Sequence, residues 1–414
     1  MKTLDALKRY SHLFEAAEEQ IKEICHIVDN TVLSNQGRVL AAFQELQVDE
    51  TCFYDSSGYG YNDFGREKLD SLYATVFGGE AGLVRPQYVS GTHAIASAIY
   101  GVLKPGERLV SLTGRPYDTL QKALGLTVGS NVVLYDETDM SNGLSEIELD
   151  RVLTPDTSIV FIQRSRGYAE RRTLTVDDIR ILITAVRQRR PDAVVIVDNC
   201  YGEFTEEQEP CHVGADLVAG SLIKNPGAGL ASSGGYVVGR SDLVERAAWQ
   251  LTAPGLGSGI GCMAGVKRLY YQGLFLAPHQ VGQSLKGMIL AASLFAAIGY
   301  SVSPRWDEKR GDVVQAVRLG SAEKLRSFCR AVQAASPVDS HVEPNPAPMV
   351  GYEDEIIMAA GTFVQGASSE FSADAPLRHP FSVYMQGGLT YEHIKLALAA
   401  VIAQLDEQFD FLTQ

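Results

Sequence analysis

VVIVDN at residues 194–199 is a run of four β-branched residues followed by a carboxylate, Asp198. Such a run is typical of a strand that is buried on both faces, as in a parallel sheet. A second segment, GSLIKN at residues 220–225, places Lys224 among small residues, 26 positions after Asp198 (224 minus 198). The sequence therefore predicts an aspartate at the end of a buried strand and a lysine in a loop that follows it.

An aspartate at a strand end and a loop lysine together form an arrangement that can hold pyridoxal phosphate. Lys224 would form a Schiff base with the cofactor aldehyde, and Asp198 would pair with the protonated ring nitrogen. This pairing would make the ring an electron sink. An Asp-Asn pair at a strand end also commonly caps the next turn in α/β proteins, so the two residues alone leave a structural role open.

A third segment, SGTHAI at residues 90–95, could bind the cofactor phosphate. Gly91 permits a close backbone approach, Ser90 and Thr92 offer hydroxyls, and the start of the predicted helix supplies unpaired amides. Ser221, three residues before Lys224, could add another hydroxyl. Taken alone, Ser90 or Thr92 could equally be an ordinary N-cap, and the phosphate interpretation depends on the other two segments.

Tyr117 is predicted to begin a helix after the strand at residues 108–112. A tyrosine at this position could stack on a planar ring. Core packing would explain it equally well.

The composition predicts a folded, soluble protein. At 414 residues the chain exceeds what one hydrophobic core usually supports, so we expect two domains. Hydrophobic residues make up 45% and charged residues 21%, both ordinary values for a folded protein. A net charge of -14 argues against nucleic acid or an anionic membrane surface as a partner.

No segment predicts secretion, membrane insertion or metal binding. The first ten residues lack the apolar core of a signal peptide, and the longest apolar-rich stretch, at residues 288–300, is too short for a span of roughly 20 residues. The six cysteines show no CxxC spacing, which indicates neither a zinc site nor a disulfide framework. We therefore expect a cytoplasmic protein with reduced thiols and no metal.

The pattern along the chain predicts three regions. Residues 1–60 form a helical arm, in which apolar spacings of three and four are broken near residues 35–37. Residues 61–285 form a large cofactor-binding α/β domain, and residues 286–414 form a smaller α+β domain. The strands of the large domain are predicted at residues 87–89, 108–112, 131–135, 158–162, 193–197, 217–219 and 235–238. Helices between them predict a largely parallel sheet covered on both faces, with a ligand site at the carboxyl ends of its strands.

In the smaller domain, helices are predicted at residues 284–298, 322–335 and 391–409. Strands are predicted at residues 312–319 and 356–363.

The chain resembles the fold-type I pyridoxal-phosphate enzymes of cysteine and methionine metabolism. More narrowly, it resembles the methionine gamma-lyase-like proteins, a group also labelled as cystathionine beta-lyases or aluminium-resistance proteins. The motifs that carry the resemblance are SGTHA at 90–94, QRSRGY at 163–168, VDNCYGEF at 197–204, GSLIKNPG at 220–227 and YMQGGLT at 384–390. The resemblance implies the aspartate aminotransferase type I fold, a mostly parallel seven-stranded sheet with a smaller α+β domain.

The resemblance also implies roles for individual residues. Lys224 would be the Schiff-base lysine and Asp198 the partner of the ring nitrogen. The phosphate would be held by Ser90, Gly91, Thr92 and Ser221, and the ring would stack on Tyr117, which is also implied as catalytic.

Arg378 matches the arginine that grips the substrate carboxylate, a task that suits a planar bidentate donor. Without the resemblance it would be taken as an ordinary solvated arginine. Tyr59 and Tyr61 occupy the region that reaches the neighbouring subunit's site in relatives, Tyr59 towards substrate and Tyr61 towards cofactor. The usual tyrosine-x-arginine pair is absent here, because Gly60 and Tyr61 follow Tyr59.

The chain departs from its relatives in the loop expected beside the phenolic oxygen of the cofactor. A serine-asparagine-proline segment is usual there, whereas this chain has RSRG at residues 164–167. Arg164 and Arg166 could add positive charge and select an acidic substrate. They could equally be paired structurally with Glu170 or with neighbours of Asp198.

The resemblance implies a carbon–sulfur lyase that catalyses β- or γ-elimination on an amino acid such as cystathionine, methionine or a cysteine derivative. The products would be a keto acid, ammonia and a thiol. Lys224, with a pKa lowered by the site, would remove the α-proton. Alternatives are another pyridoxal-phosphate reaction (replacement, transamination or racemisation) or a non-catalytic scaffold that serves stress tolerance. A homodimer or homotetramer is also implied.

Overall fold

The computed structural model describes residues 3–126, 133–349, 352 and 354–410. The helices in these ranges are α1 (Thr3–Arg9), α2 (Ser11–Glu45), α3 (Phe64–Phe77), α4 (Gly91–Val102), α5 (Asp118–Ala123), α6 (Glu146–Val152), α7 (Val176–Arg189), α8 (Ser241–Leu251), α9 (Lys267–Ala297), α10 (Ala322–Ala334) and α11 (Tyr391–Phe409). The strands are β1 (Ala81–Arg85), β2 (Arg108–Ser111), β3 (Leu134–Glu137), β4 (Thr157–Gln163), β5 (Val194–Asp198), β6 (Leu217–Ser221), β7 (Gly235–Gly239), β8 (Ser301–Ser303), β9 (Val314–Arg318), β10 (Ala347–Pro348), β11 (Glu355–Ala359), β12 (Ser372–Pro376) and β13 (Ser382–Gln386).

The larger sheet has seven strands in the order β1-β7-β6-β5-β4-β2-β3. Strands β2 to β6 pair in parallel with their neighbours in this set, and β7 runs antiparallel to both β6 and β1. The mostly parallel seven-stranded sheet predicted from the sequence is confirmed.

Side-chain alternation along β5 explains why this sheet is covered on both faces. Val195 and Val197 belong to one hydrophobic core, whereas Ile196 points into the other, and all three are fully buried. Helices α4 and α8 cover the Ile196 face, while α7 packs in the opposite core. Because successive strand residues face opposite sides, a run without polar interruption fits a strand between two helical layers.

The smaller sheet has six strands in the order β10-β11-β12-β13-β9-β8, and every neighbouring pair is antiparallel. It gives the C-terminal region the α+β character predicted from the sequence. Strands β12 and β13 were not predicted, because short segments such as SADAP carry little strand signal although they are fully buried here.

The predicted break in the N-terminal helix near residues 35–37 is wrong. Helix α2 runs without interruption from Ser11 to Glu45. Asn35 lies on its buried face and donates its side-chain amide to the carbonyls of Phe204 (2.9 Å) and Glu206 (3.1 Å). The polar residue that suggested a break is therefore a helical residue that anchors the loop after β5.

Helix α9 is much longer than the predicted segment at residues 284–298, since it begins at Lys267 and continues through Pro278. It packs along α2 and contacts α11, β8, β9 and the turn after Lys224. The predicted domain boundary between residues 285 and 286 falls inside this helix, which joins the regions of the two sheets. In the described ranges, no helix combines the length and apolarity needed to cross a bilayer.

The first strand of the large sheet was predicted at residues 87–89, but it lies at residues 81–85 instead. It is β1, which pairs antiparallel with β7 and ends at Arg85, directly before Pro86. Proline lacks the N–H that would continue the ladder. Strand β11 likewise ends at Ala359, short of the predicted residue 363, and the start of the strand predicted at residues 131–135 lies outside the described residues.

Candidate active site

A cavity of about 360 Å³ opens at the carboxyl ends of β4, β5 and β6. Loops and helix N-termini converge there in parallel sheets, which is where ligands usually bind. Eight of the predicted site residues line this cavity: Ser90, Gly91, Thr92, Tyr117, Asp198, Ser221, Lys224 and Arg378. The fold thus brings together residues that are spread over nearly 290 positions of the chain (378 minus 90 is 288).

Asp198 is the last residue of β5, and its side chain is buried at the base of the cavity. One carboxylate oxygen accepts a hydrogen bond of 3.0 Å from the backbone N–H of Cys200. Burial raises the pKa of the Asp198 carboxyl, and the positive charge of Lys224 opposes that rise. A buried carboxylate facing a cavity in this way is well suited to a cationic ligand group.

Lys224 follows β6 by three residues, and its ammonium nitrogen lies 3.9 Å from the ring centroid of Tyr201. The predicted lowering of the Lys224 pKa concerns the lysine after substrate has displaced it from the cofactor, and it stays a prediction. In this structure burial lowers that pKa, but Cys200, Tyr201 and Asp198, in that order, outweigh burial and hold it well above the ordinary value. A bound group that engages Asp198 would weaken this effect.

The turn after Lys224 is held in place by α9. A Cβ at Gly273 of α9 would come within 2.6 Å of the backbone oxygen of Gly227, so only glycine permits this approach. On the other side of the turn, the amide of Asn225 donates to the Glu203 carbonyl at 2.9 Å. The lysine is therefore carried by a packed segment rather than by a free loop.

The N-terminus of α4 forms the other end of the cavity. Ser90 is its N-cap and accepts a hydrogen bond of 3.2 Å from the His93 N–H, so the capping role considered for Ser90 is real. A Cβ at Gly91 would lie 3.0 Å from the Ser221 Cβ and 3.4 Å from the Cys200 sulfur. Gly91 thus lets the helix start approach the end of β6, which places amides and the Ser221 hydroxyl around one space.

Tyr117 stands between this helix start and Asp198. Its hydroxyl lies 3.0 Å from the Thr92 hydroxyl, and its backbone N–H donates to the side chain of Gln163 at 3.1 Å. Burial first, and then the negative charge of Asp198, hold the pKa of Tyr117 well above its usual value. The ring is therefore a neutral, fixed wall of the cavity.

Tyr201 lines the cavity and was not among the predicted site residues. Its backbone φ of 70° is unusual for a residue with a side chain, and its hydroxyl lies 3.3 Å from that of Ser368. Arg171 also lines the cavity and was missed. The motif at residues 197–204 could have suggested Tyr201, whereas no local signal distinguishes Arg171.

Arg378 lines the cavity at its rim and is already engaged there. It donates to Asp354 at 2.8 Å and to the Tyr168 carbonyl at 3.3 Å, while about half of its side chain is exposed. A carboxylate that binds Arg378 would therefore share the guanidinium with Asp354. Its predicted role towards substrate stays a prediction.

Tyr59 and Tyr61 do not line the cavity of their own subunit. Their rings stack on each other with centroids 5.4 Å apart, and about two thirds of each residue is exposed (65% and 64%). The predicted contact with a neighbouring subunit's site stays a prediction.

The two arginines of the unusual loop point in different directions. Arg164 is fully buried away from the cavity and pairs with Glu206 at 2.7 Å and with Glu209 at 3.6 Å. It also donates to the side chain of Asn199, the residue after Asp198, at 2.8 Å. Of the two roles considered for Arg164, the structural pairing is the one observed. Arg166 lines the cavity.

We expect Arg164→Met to lower the free energy of unfolding by about 3 kcal/mol, because it leaves a carboxylate of a buried ion pair without its partner. Urea denaturation would measure the change. Arg180→Met, which removes an exposed pair with Asp177, is the matched control and should cost less than about 1 kcal/mol. An equal, small effect for both variants would contradict the structural role of Arg164.

The residues of the cavity fit pyridoxal phosphate. The α4 N-terminus, the Thr92 and Ser221 hydroxyls and the space kept open at Gly91 suit a phosphate, while Tyr117 offers a flat wall. Asp198 suits a protonated ring nitrogen, and Lys224 suits an aldehyde. Among the residues with described positions, no group of three or more metal-ligating side chains comes together.

Comparison with known proteins gives three main findings. Residues 10–406 match the family model described as Methionine gamma-lyase. The uncharacterized protein YnbB of Bacillus subtilis is 49% identical over 90% of both chains. The crystal structure of a carbon–sulfur lyase involved in aluminium resistance, from Clostridium novyi, superposes with a TM-score of 0.92 at 43% identity and covers 96% of both chains. At greater distance, an L-methionine gamma-lyase of Pseudomonas deceptionensis is 26% identical over 60% of this chain and 56% of its own.

Proposed function

The chain belongs to the methionine gamma-lyase family, and from this we propose that it is a pyridoxal-phosphate-dependent carbon–sulfur lyase. Its substrate would be a sulfur-containing amino acid, cleaved by elimination to a keto acid, ammonia and a thiol. Similarity to a structure described as a carbon–sulfur lyase and to methionine gamma-lyases supports this reaction class.

The observation that carries the proposal is the meeting of Lys224, Asp198 and the α4 N-terminus around one cavity. Each alone has an ordinary structural explanation. Together they supply an amine for an aldehyde, a carboxylate for a pyridinium and amides for a phosphate. Few other ligands require an amine, a carboxylate and a set of amides in one cavity.

In the proposed reaction each residue has a distinct task. Bound pyridoxal phosphate would supply an electron sink for the pair released at Cα. Arg378 would hold the substrate carboxylate, and the Lys224 amine would remove the α-proton as general base. Asp198 would keep its negative charge against the ring nitrogen, while the partly buried Tyr117 would exclude water from one side.

The visible absorption spectrum of the purified protein, before and after L-cystathionine is added, tests the proposal. Keto acid should be assayed in the same cuvette. Cofactor absorbance that shifts and is accompanied by keto acid would support a carbon–sulfur lyase. A shift without keto acid would support the cofactor assignment and exclude L-cystathionine as a substrate. No cofactor absorbance after incubation with pyridoxal phosphate would contradict the proposal.

We also propose a homodimer or homotetramer, in which the exposed pair Tyr59 and Tyr61 reaches the neighbouring subunit's cavity. We then expect Tyr61→Ala to weaken cofactor binding by about tenfold, the effect of losing one hydrogen bond to a charged group. Cofactor absorbance after dialysis would measure this, with light scattering for the oligomer mass. Ile147→Ala, which removes an even more exposed apolar side chain on α6, is the control. A single-chain mass of 44.9 kDa would rule out the shared site.

A further inference from the structure

Two buried arginines line the candidate active site without a carboxylate partner. Arg166 is 3% exposed and donates to the backbone carbonyl (3.1 Å) and hydroxyl (2.9 Å) of Ser303, and its Nε–H has no partner. Arg171 is 7% exposed and donates to backbone carbonyls, including that of Gln163 at 2.8 Å. Within the described ranges, neither arginine is within ion-pair distance of any carboxylate.

A buried cation without a counterion is unfavourable, so this pair needs an explanation. The pKa of Arg171 is lowered to about 10, mainly by burial and to a lesser extent by Arg166, while the negative charges of Asp139 and Asp312 oppose the fall from a distance. Asp312 itself is occupied, because it accepts hydrogen bonds from the Ser165 hydroxyl (2.7 Å) and the Val314 N–H (3.1 Å). Arg171 therefore stays charged at neutral pH, and no carboxylate lies at contact distance from either arginine in the described ranges.

Three other charged parts of the cavity already have tasks in the proposed function, whereas Arg115 and Asp118, which also line it, have none. The α4 N-terminus would take the phosphate, Asp198 the ring nitrogen and Arg378 the α-carboxylate. We propose that Arg166 and Arg171 form a second anion subsite, which binds a negatively charged group on the sulfur-bearing arm of the substrate. The substrate class would then be amino acids whose thioether arm ends in a carboxylate. This inference rests on the proposed function, since it assigns the leaving arm of that reaction.

A matched pair of compounds tests the subsite. S-carboxymethyl-L-cysteine and its amide, S-carbamoylmethyl-L-cysteine, differ only in a carboxylate or a carboxamide at the arm's end. In either case the Cα–H and Cβ–S bonds would break. The α-proton would pass to Lys224, and the sulfur would leave with the bonding electron pair and be protonated. With one water, the acid would yield pyruvate, ammonia and mercaptoacetate.

For the wild-type holoenzyme we expect kcat/KM to be at least about tenfold higher for the acid than for the amide, mainly through KM. Arg166→Gln should reduce this ratio to near one by slowing the acid alone, and Arg166→Lys should restore part of it. Arg172→Gln is the control, because Arg172 is the exposed neighbour of Arg171 and pairs with Asp178 outside the cavity. It should keep the wild-type ratio.

A readout that does not need turnover separates the two proposals. In Lys224→Ala protein supplied with cofactor, calorimetry should show tighter binding of the acid than of the amide by a similar factor. Equal constants for acid and amide would overturn the subsite while leaving the lyase intact. If Arg166→Gln slowed both compounds equally, Arg166 would not serve the distal group. A protein that binds no pyridoxal phosphate and turns over neither compound would overturn the proposed function instead.

Discussion

Lys224→Ala is expected to lower kcat by at least about 10³-fold while the protein stays folded. The lysine has two tasks in the proposed mechanism, attachment of the cofactor and removal of the α-proton, and alanine can perform neither. We expect the variant to keep its fold, because the turn after residue 224 is held by Asn225 and by the packing of Gly273 on Gly227. Keto-acid formation under saturating cofactor would measure the loss.

Two further measurements make the Lys224 result specific. Borohydride treatment should fix the cofactor covalently to the peptide that contains Lys224 in the wild type and leave none attached in the variant. Lys286→Ala, at a lysine paired with Asp29 outside the cavity, should retain wild-type activity and labelling. Lyase activity that survives Lys224→Ala would show that another group performs the chemistry.

Asp198→Asn is expected to lower kcat by about 10²- to 10³-fold, the range found when one preorganised electrostatic contact is removed from a site. Asparagine preserves the shape and can still accept the Cys200 N–H, so the change mainly removes charge. The variant should therefore keep its fold and still bind cofactor. Its turnover should fall because the ring nitrogen loses its anionic partner.

Asp198→Asn should also lower the pKa of Lys224, because Asp198 is one of the groups that raise it. Lys224 would then lose its proton at a lower pH, and the pH profile of cofactor attachment would shift the same way. Absorbance titration of the cofactor measures that shift. Asp177→Asn, on the exposed surface, is the control. An unchanged kcat in Asp198→Asn would remove Asp198 from the mechanism.

Local sequence was sufficient to predict the parts of the site that follow from strand ends and helix starts. The run at residues 194–197 predicts a buried strand, so the position of Asp198 at its end follows directly. Gly91 and Thr92 were similarly tied to the start of a helix, which is observed as α4. These residues meet because parallel strands bring their carboxyl ends to one edge.

Other parts depend on contacts between distant segments, which sequence patterns do not contain. Arg164 and Arg166 are two positions apart, yet one pairs with Glu206 in the interior and the other lines the cavity. Arg171 lines the same cavity as Arg166, and it is held there by hydrogen bonds to backbone carbonyls, which any arginine could make. The length of α9 was underestimated because Gly273 and Pro278 normally interrupt helices, whereas tertiary packing sustains this one.

Because α9 is one continuous helix, it connects the turn after Lys224 with the smaller sheet. One part of this helix presses on the turn that carries Lys224, and it also contacts β8 and β9 of the smaller sheet. A rigid helix transmits displacement along its axis, so a shift of the smaller sheet towards the cavity would also move the lysine turn. Cutting the chain between residues 285 and 286 would divide α9 into two shorter helices with exposed apolar faces, and neither fragment would hold all the residues that line the candidate active site.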